Sequence, residues 1–347
     1  MDIITRYAVP AIYASFTGLA VGLAVLTIFR IRDPNIRIFY LFLPLLRPYF
    51  ILTENVYMGN SVSGTAVIWG GLRIPDPHNI FDNFNFSRLV FSSTNYYLLF
   101  LAVVTIGLII VYRWVYLYVF YKRLASDEKV GSKDLPSIFS IIDTYRDKLG
   151  IKQPEVSLTH KPYYSPFVIG IKKPSLVIAP QLIECLNPAE TEVVIAHELS
   201  HIKRHDSLIR WAALILRDMM FFSPFAHLSY GMIKMEQEKG SDQLVLKHSG
   251  KEGKTLAMDI LTSIRKMKEL ISSQNKRVSN HLCPFSPQSA LNLSKLRHRI
   301  DSLIKTDLNQ LQASVAVKVI MAIIWVLILL LQFMIVINTG NYTVILR

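Results

Sequence analysis

Cysteine is nearly missing from this chain: Cys185 and Cys283 are the two it has, far apart and without a CxxC pair. That argues against a disulfide framework, and two small buried core residues in a reducing compartment are the plain reading. Charge is scarce as well. Of the 347 residues 18% are charged, where a soluble domain carries about 25%. Acidic residues are the scarcer sign, 25 against 38 Lys and Arg, which leaves a net charge of +13. An excess of that size can mark a nucleic-acid partner. No nucleic-acid-binding motif accompanies it here, so direct nucleic-acid binding is not expected, and basic residues gathered in cytoplasmic loops explain the charge better. What the chain has in quantity is hydrophobic residues, 51% of the total. The balance points to an integral membrane protein with a sizeable part outside the lipid bilayer.

A spanning helix needs about 20 mostly apolar residues. Residues 8–29 meet that without one charge, and Gly18 and Gly22 within them form a GxxxG pair that would permit close helix packing. Residues 38–52 are shorter and hold Pro44, Arg47 and Pro48. A kinked span or a re-entrant segment both fit them, and the span is the reading adopted. A polar loop, 53–95, leads to a third span at 96–120, aromatic at both ends and closed by Lys122 and Arg123. The last span is 319–337, with Gln332 its one strongly polar residue.

Most Lys and Arg fall in 30–37 and 121–318, which places both segments in the cytoplasm and the N-terminus, the 53–95 loop and the C-terminal tail outside. The expected organisation is an N-terminal membrane domain (1–123), a cytoplasmic domain (124–318), and a last transmembrane helix with a short external tail (319–347). The fold class is a mainly α membrane protein with four transmembrane helices and a cytoplasmic α+β domain holding a small sheet.

Within 124–318, residues 135–151 space their apolar positions as a helix does and end on Gly150. Strand-like pieces follow at 156–160, 166–170 and 175–180. A further helix starts at Asn187, a natural N-cap, with Pro188 in its first turn and Glu190 completing a capping-box pattern. That helix carries "VVIAHELSHIKRHD", residues 193–206.

His197 and His201 are four apart, so on a helix both imidazoles reach one metal ion. Glu198 is displaced around the axis and can take a proton from a water that the metal acidifies. With nine His and 11 Glu in the chain, such an HExxH arises by accident in about one such sequence per hundred. A catalytic zinc takes a third protein ligand, and His205, Glu236, Glu238 and Asp242 are the candidates. The metzincin pattern would need Gly at 204 and His at 207, where the chain has Arg204 and Ser207. Glu238 and Asp242 share a face of a second helix, 234–248, so Glu238 could complete the sphere while Asp242 orients a ligating histidine. A solvated acidic face fits that spacing equally, and Glu236 is the alternative ligand. The apolar stretch 207–229 between the two helices contains Arg210, Arg217 and Asp218 and reads as a helix on the inner membrane surface. A full span there would put Glu238 across the bilayer from the histidines.

"AHELSHIKRHD", "FFSP" and "EKGSD", with "FVIGIKKPSLVIAP" upstream and "KLRHRIDSLIK" downstream, resemble the BlaR/MecR-type membrane metallopeptidases. These are gluzincins related to HtpX and the CAAX prenyl protease, and the resemblance covers nearly the whole chain. It implies that His197, His201 and Glu238 bind one Zn2+ ion, that Glu198 is the base, and that Asp242 orients a ligand from behind. It also implies an endopeptidase of a prokaryotic plasma membrane that cuts a cytoplasmic or membrane-proximal protein, a transcriptional repressor in some members. The chain departs from the family in two places. Gly240-Ser241-Asp242 stands where members often read Ala-Cys-Asp, and the chain stops ten residues after Ile337, short of a penicillin-binding sensor domain.

Three further readings complete the expectations. An edge strand near 175–180 could hold the substrate, His281 or His298 is a candidate oxyanion partner, and the basic stretch 276–282 reads as a solvated linker rather than a self-cleavage region. The competing function is a non-catalytic transmembrane signalling receptor with a structural metal site. An intramembrane protease is disfavoured, because "HIKRHD" is too polar for a span.

Overall fold

A computed structural model describes residues 9–48, 65–68, 72–75, 93–125, 128–159, 165–170, 173–273, 293–305 and 313–345. Most of the 53–95 loop, the 276–282 stretch, His281 and Cys283 lie outside them. The chain is mostly helical with a small mixed sheet. It opens with α1 (Val9–Ile28) and α2 (Pro34–Leu41), then a hairpin of β1 (Thr65–Ile68) and β2 (Leu72–Pro75), then α3 (Ser93–Ala125). After β3 (Glu128–Lys129) come α4 (Pro136–Leu149), β4 (Glu155–Leu158), β5 (Phe167–Ile169), β6 (Ser175–Ile178) and the short α5 (Pro180–Cys185). The remaining helices are α6 (Pro188–Lys203), α7 (Asp206–Met219), α8 (Pro224–Ser249), α9 (Gly253–Ser273), α10 (Leu293–Lys305) and α11 (Val315–Ile345).

Among the described residues one helix, α1 over Ala11–Ile28, is long and apolar enough to cross a membrane; Val104–Phe120 of α3 and Val315–Leu330 of α11 are apolar over shorter stretches. The segment 38–52, expected as a kinked span, bends within its described part. Asp33 caps α2 by accepting the Asn35 N–H at 2.9 Å, and Pro34 supplies the first turn. The helix stops at Leu41, turns at Phe42 and resumes over 43–48, because Pro44 has no N–H to continue the ladder. The two GxxxG glycines face this bend. A Cβ on Gly18 would meet the Leu43 carbonyl and Pro44 at 3.1 Å, and one on Gly22 would meet the Tyr40 carbonyl at 3.1 Å, so Gly22 lets α1 approach α2 backbone to backbone and Gly18 does the same for the 43–48 segment.

The sheet runs β3-β4-β6-β5, with β4 and β6 parallel and both outer pairings antiparallel. The expectation of an edge strand near 175–180 is therefore corrected. β5 pairs Phe167 with Val177 and Ile169 with Ser175, covering β6 and taking the edge itself. The stretch 207–229, expected as one helix, is two helices. α7 ends at Met219, and a new helix starts at Pro224, which fits a first turn but cannot extend a preceding ladder.

Two cores meet along α8. One gathers Ile142 and Tyr145 of α4, Val156 and Leu176 of the sheet, Leu199 of α6, and Val245 and Leu246 at the C-terminal end of α8. The other gathers Leu19 of α1, Leu41 of α2, Leu117 of α3, Leu214 of α7, and Ala226, Tyr230 and Ile233 at the N-terminal end of α8. Each fully buried Leu or Ile contributes about 1.5–3 kcal/mol, so both ends of α8 are firmly seated. The stretch between them, 236–242, is held by its neighbours at either end.

Candidate metal centre

The cap expected for α6 forms in full. The Asn187 side chain accepts the Glu190 N–H at 2.8 Å, and the Glu190 carboxylate accepts the Asn187 N–H at 2.9 Å. Lys266 of α9 also reaches Glu190 at 2.7 Å, which fixes the start of the helix against its neighbour. From that start, α6 runs between the sheet and α8 and delivers His197 and His201 one turn apart, their ring centroids 4.8 Å apart and nearly perpendicular. β5 packs against the same helix.

α8 returns antiparallel to α7 and brings the acidic pair to these rings. Glu238 lies with one carboxylate oxygen 3.3 Å from His197 Nε2 and the other 3.9 Å from His201 Nε2. One donor atom from each of the three lies within 4.8 Å of the other two. Ligands about 2.1 Å from a tetrahedral zinc stand about 3.4 Å from one another, so the three side chains fit such an ion with little movement. Carboxylates stand behind both remaining imidazole nitrogens, and the one behind His201 is hydrogen-bonded to it. Asp242 Oδ1 lies 3.0 Å from His197 Nδ1, and Asp206 Oδ2 lies 2.7 Å from His201 Nδ1, with Ser241 Oγ 3.0 Å from the same nitrogen. Carboxylates behind histidines fix the tautomer that a metal needs.

The other two ligand candidates do not join the cluster. His205 is exposed, because α6 ends at Lys203 and His205 turns into the left-handed region at φ 54°. Glu236 is buried but points about 200° around α8 from Glu238, where it pairs with Arg37 of α2 at 2.9 Å and Lys239 at 3.2 Å. His298 is exposed on α10.

Three residues of the site were not anticipated as such. Asp206 sits at the entry to α7, buried, and binds Arg204 at 3.1 Å as well as His201. Arg210, read from the sequence as an interruption in an apolar stretch, approaches Glu238 at 3.8 Å and Gln237 at 3.2 Å. Arg299 of α10 grips Asp242 through two hydrogen bonds of 2.7 Å and reaches Glu238 at 3.3 Å. The "RHD" after HELSH and the arginine in "KLRHRID" were the available signals, but neither spacing identifies a partner. The departure at 240–241 also acquires a role: Ser241 touches His201, and Gly240 leaves the room that the Arg204 guanidinium fills, since a Cβ there would lie 2.1 Å from Nη1.

Burial disfavours charge on His197, but the carboxylates of Asp242 and Glu238 outweigh it and push the imidazole up to about 10. Burial would raise Glu238 and Asp242, yet His197 and Arg299 hold both below the usual carboxylate range. Glu198 goes the other way. Its burial raises it, offset in part by the two histidines. A folded value above the ordinary 6.5 means that the His197 contribution to metal-free stability is complete below about pH 6.5 and fades as pH climbs through about 10. Metal must displace that proton, so zinc affinity should rise about tenfold per pH unit across the neutral range. Metal competition and thermal melts at several pH values check the two opposite trends. An affinity that is flat with pH would mean that His197 is no ligand.

Similar sequences occur among known proteins. The "Regulatory protein BlaR1" of Bacillus licheniformis is 28% identical over 145 residues, 42% of this chain and 23% of that protein. The "Methicillin resistance mecR1 protein" of Staphylococcus aureus is 34% identical over 83 residues, 24% of this chain and 14% of that protein. The "Protease HtpX homolog" of Pyrococcus abyssi is 32% identical over 117 residues, 32% of this chain and 40% of that protein. Each match spans less than half of the relative's length. Residues 74–283, more than half of the chain, match a single family description, and the protein belongs to the BlaR1 peptidase M56 family.

Proposed function

We propose that the protein is a zinc-dependent endopeptidase anchored in a prokaryotic plasma membrane by four spans, with the domain at 124–318 in the cytoplasm, and that it cuts a cytoplasmic or membrane-proximal regulatory protein. The observation that carries this reading is the meeting of His197, His201 and Glu238 beside a buried Glu198. Zinc held by the three donors would supply the Lewis acidity that activates a water and polarises a peptide carbonyl. Glu198, whose carboxyl burial raises, takes the proton of the attacking water and passes it to the leaving amine. Asp206, Ser241 and Asp242 keep the imidazoles aimed. β5, the last strand of the sheet among the described residues, lies against α6 and offers an extended peptide a strand to pair with.

The membrane part of the proposal rests on α1, on the apolar stretches of α3 and α11, and on α7. The outer face of α7 exposes Leu208, Ile215 and Met219, while its charged residues turn inward: Asp218 is held by Arg113, Arg217 and the Trp114 indole N–H. Such a helix suits the inner leaflet surface. Relatives named for regulation and methicillin resistance support a regulatory target, and a transcriptional repressor is the class that the family resemblance suggests. The purified full chain should carry one zinc ion, lose cleavage of an unfolded reporter protein on chelation and regain it with zinc. Undiminished cleavage by the zinc-free chain would overturn the reading.

A further inference from the structure

Arg299 reaches the metal centre from outside both ligand helices. It is 6% exposed, and its guanidinium faces two carboxylates at once. Nε and Nη2 each bond an Asp242 oxygen at 2.7 Å, and Nη1 lies 3.3 Å from Glu238 Oε2. Those two acids do different work. Glu238 supplies a metal donor, and Asp242 stands behind His197. One planar fork therefore fixes the ligand and the ligand's support in a single geometry, which a point charge cannot do.

The seat of that fork is set elsewhere. α10 packs on α8 and α9, burying Leu296 and Leu303 on the side that carries Arg299. At the far end of the contact, Gly253 opens α9 directly against the α10 backbone, where a Cβ would lie 2.7 Å from the Leu303 carbonyl oxygen. Only a glycine allows the two backbones to come that close.

We propose that Arg299 is a positioning residue for the metal centre: docked by the Gly253–Leu303 contact, it clamps Glu238 and Asp242 in the geometry that takes up zinc. The inference rests on the metal reading above and adds α10 as a third wall of the site. Neutralising Asp242 alone would need only a charge. The fork shared with Glu238 and the tailored backbone contact at Gly253 point to geometry as well.

The test is zinc affinity of the full chain in detergent, measured by competition with a chromophoric chelator, alongside thermal melts of the zinc-free form. Arg299→Lys keeps the charge, so no buried carboxylate is stranded and the chain folds, yet a lysine cannot hold both acids. Its zinc affinity should fall about 10-fold, and that of Arg299→Met toward 100-fold. Gly253→Val substitutes no site residue, yet by shifting α10 it should weaken zinc binding in the wild-type background. It should add little in Arg299→Lys, because both act through one contact. A folded Arg299→Lys chain with wild-type zinc affinity, or a Gly253→Val loss that adds in full, would overturn the clamp. A wild-type chain that takes up no zinc would instead sink the metal reading, and this proposal with it.

Discussion

Glu198→Gln is expected to keep one zinc ion per chain and to lose peptide cleavage by about 10²–10⁴-fold. The two side chains have the same size, so the buried pocket around residue 198, 8% exposed, keeps its shape. The ligands stay as they are: Glu238 remains 3.3 Å from His197 and 3.9 Å from His201. Removing the 198 charge even relieves repulsion with Glu238, which is one of the effects that lift Glu198. What the amide lacks is a site that can accept the proton of the attacking water. Zinc content by mass spectrometry and cleavage of a reporter protein separate the two properties in one preparation. Retained zinc with unchanged cleavage would remove Glu198 from the chemistry. Retained zinc and retained cellular signalling without any cleavage would favour the non-catalytic receptor. In cells, proteins that persist only in the Glu198→Gln strain are the substrate candidates.

The parts of the site that could be read from sequence are those governed by local geometry. Asn187, Pro188 and Glu190 announce the start of α6 because each acts within a few residues of itself. His197 with His201, and Glu238 with Asp242, announce shared faces because four residues are one helical turn. Choosing Glu238 over Glu236 is not local. That choice is made by Arg37, about 200 residues earlier, which claims the Glu236 carboxylate at 2.9 Å. Arg299 was hidden for the same reason: 57 residues separate it from Asp242, and only the docking of α10 brings them together. The edge strand was misplaced because apolar content marks β6 as buried, 175–178 being inside on both faces, but does not say which neighbour covers it. The break at Met220–Ser223 was signalled by Pro224, and a surface helix long enough to cover 207–229 outweighed it.

Asp206→Ala is expected to weaken zinc binding by about 10–100-fold and to cost the zinc-free fold about 3–5 kcal/mol. The two effects have separate physical origins. For the metal, Asp206 Oδ2 at 2.7 Å holds the His201 Nδ1 proton and so leaves Nε2 as the donor. Alanine leaves that orientation to the Ser241 hydroxyl at 3.0 Å, which can donate or accept and does not select a tautomer. For the fold, Arg204 is 9% exposed along its side chain and loses its partner at 3.1 Å, leaving a buried charge uncompensated. The Asp206 carboxyl would be raised by its burial, but His201 and Arg204 hold it below the usual range. Its stabilising contribution is thus present above the ordinary carboxylate pKa and lost as pH falls through the depressed one. Asp206→Asn should fall between wild type and alanine for zinc, since its amide oxygen still accepts the Nδ1 proton. In Asp206→Ala with Arg204→Met, no buried charge is stranded and most of the stability should return. Zinc affinity should stay low in that double variant, because nothing in it restores the carboxylate behind His201. Recovery of both together would mean that Asp206 acts only by neutralising Arg204, and that His201 needs no orienting partner.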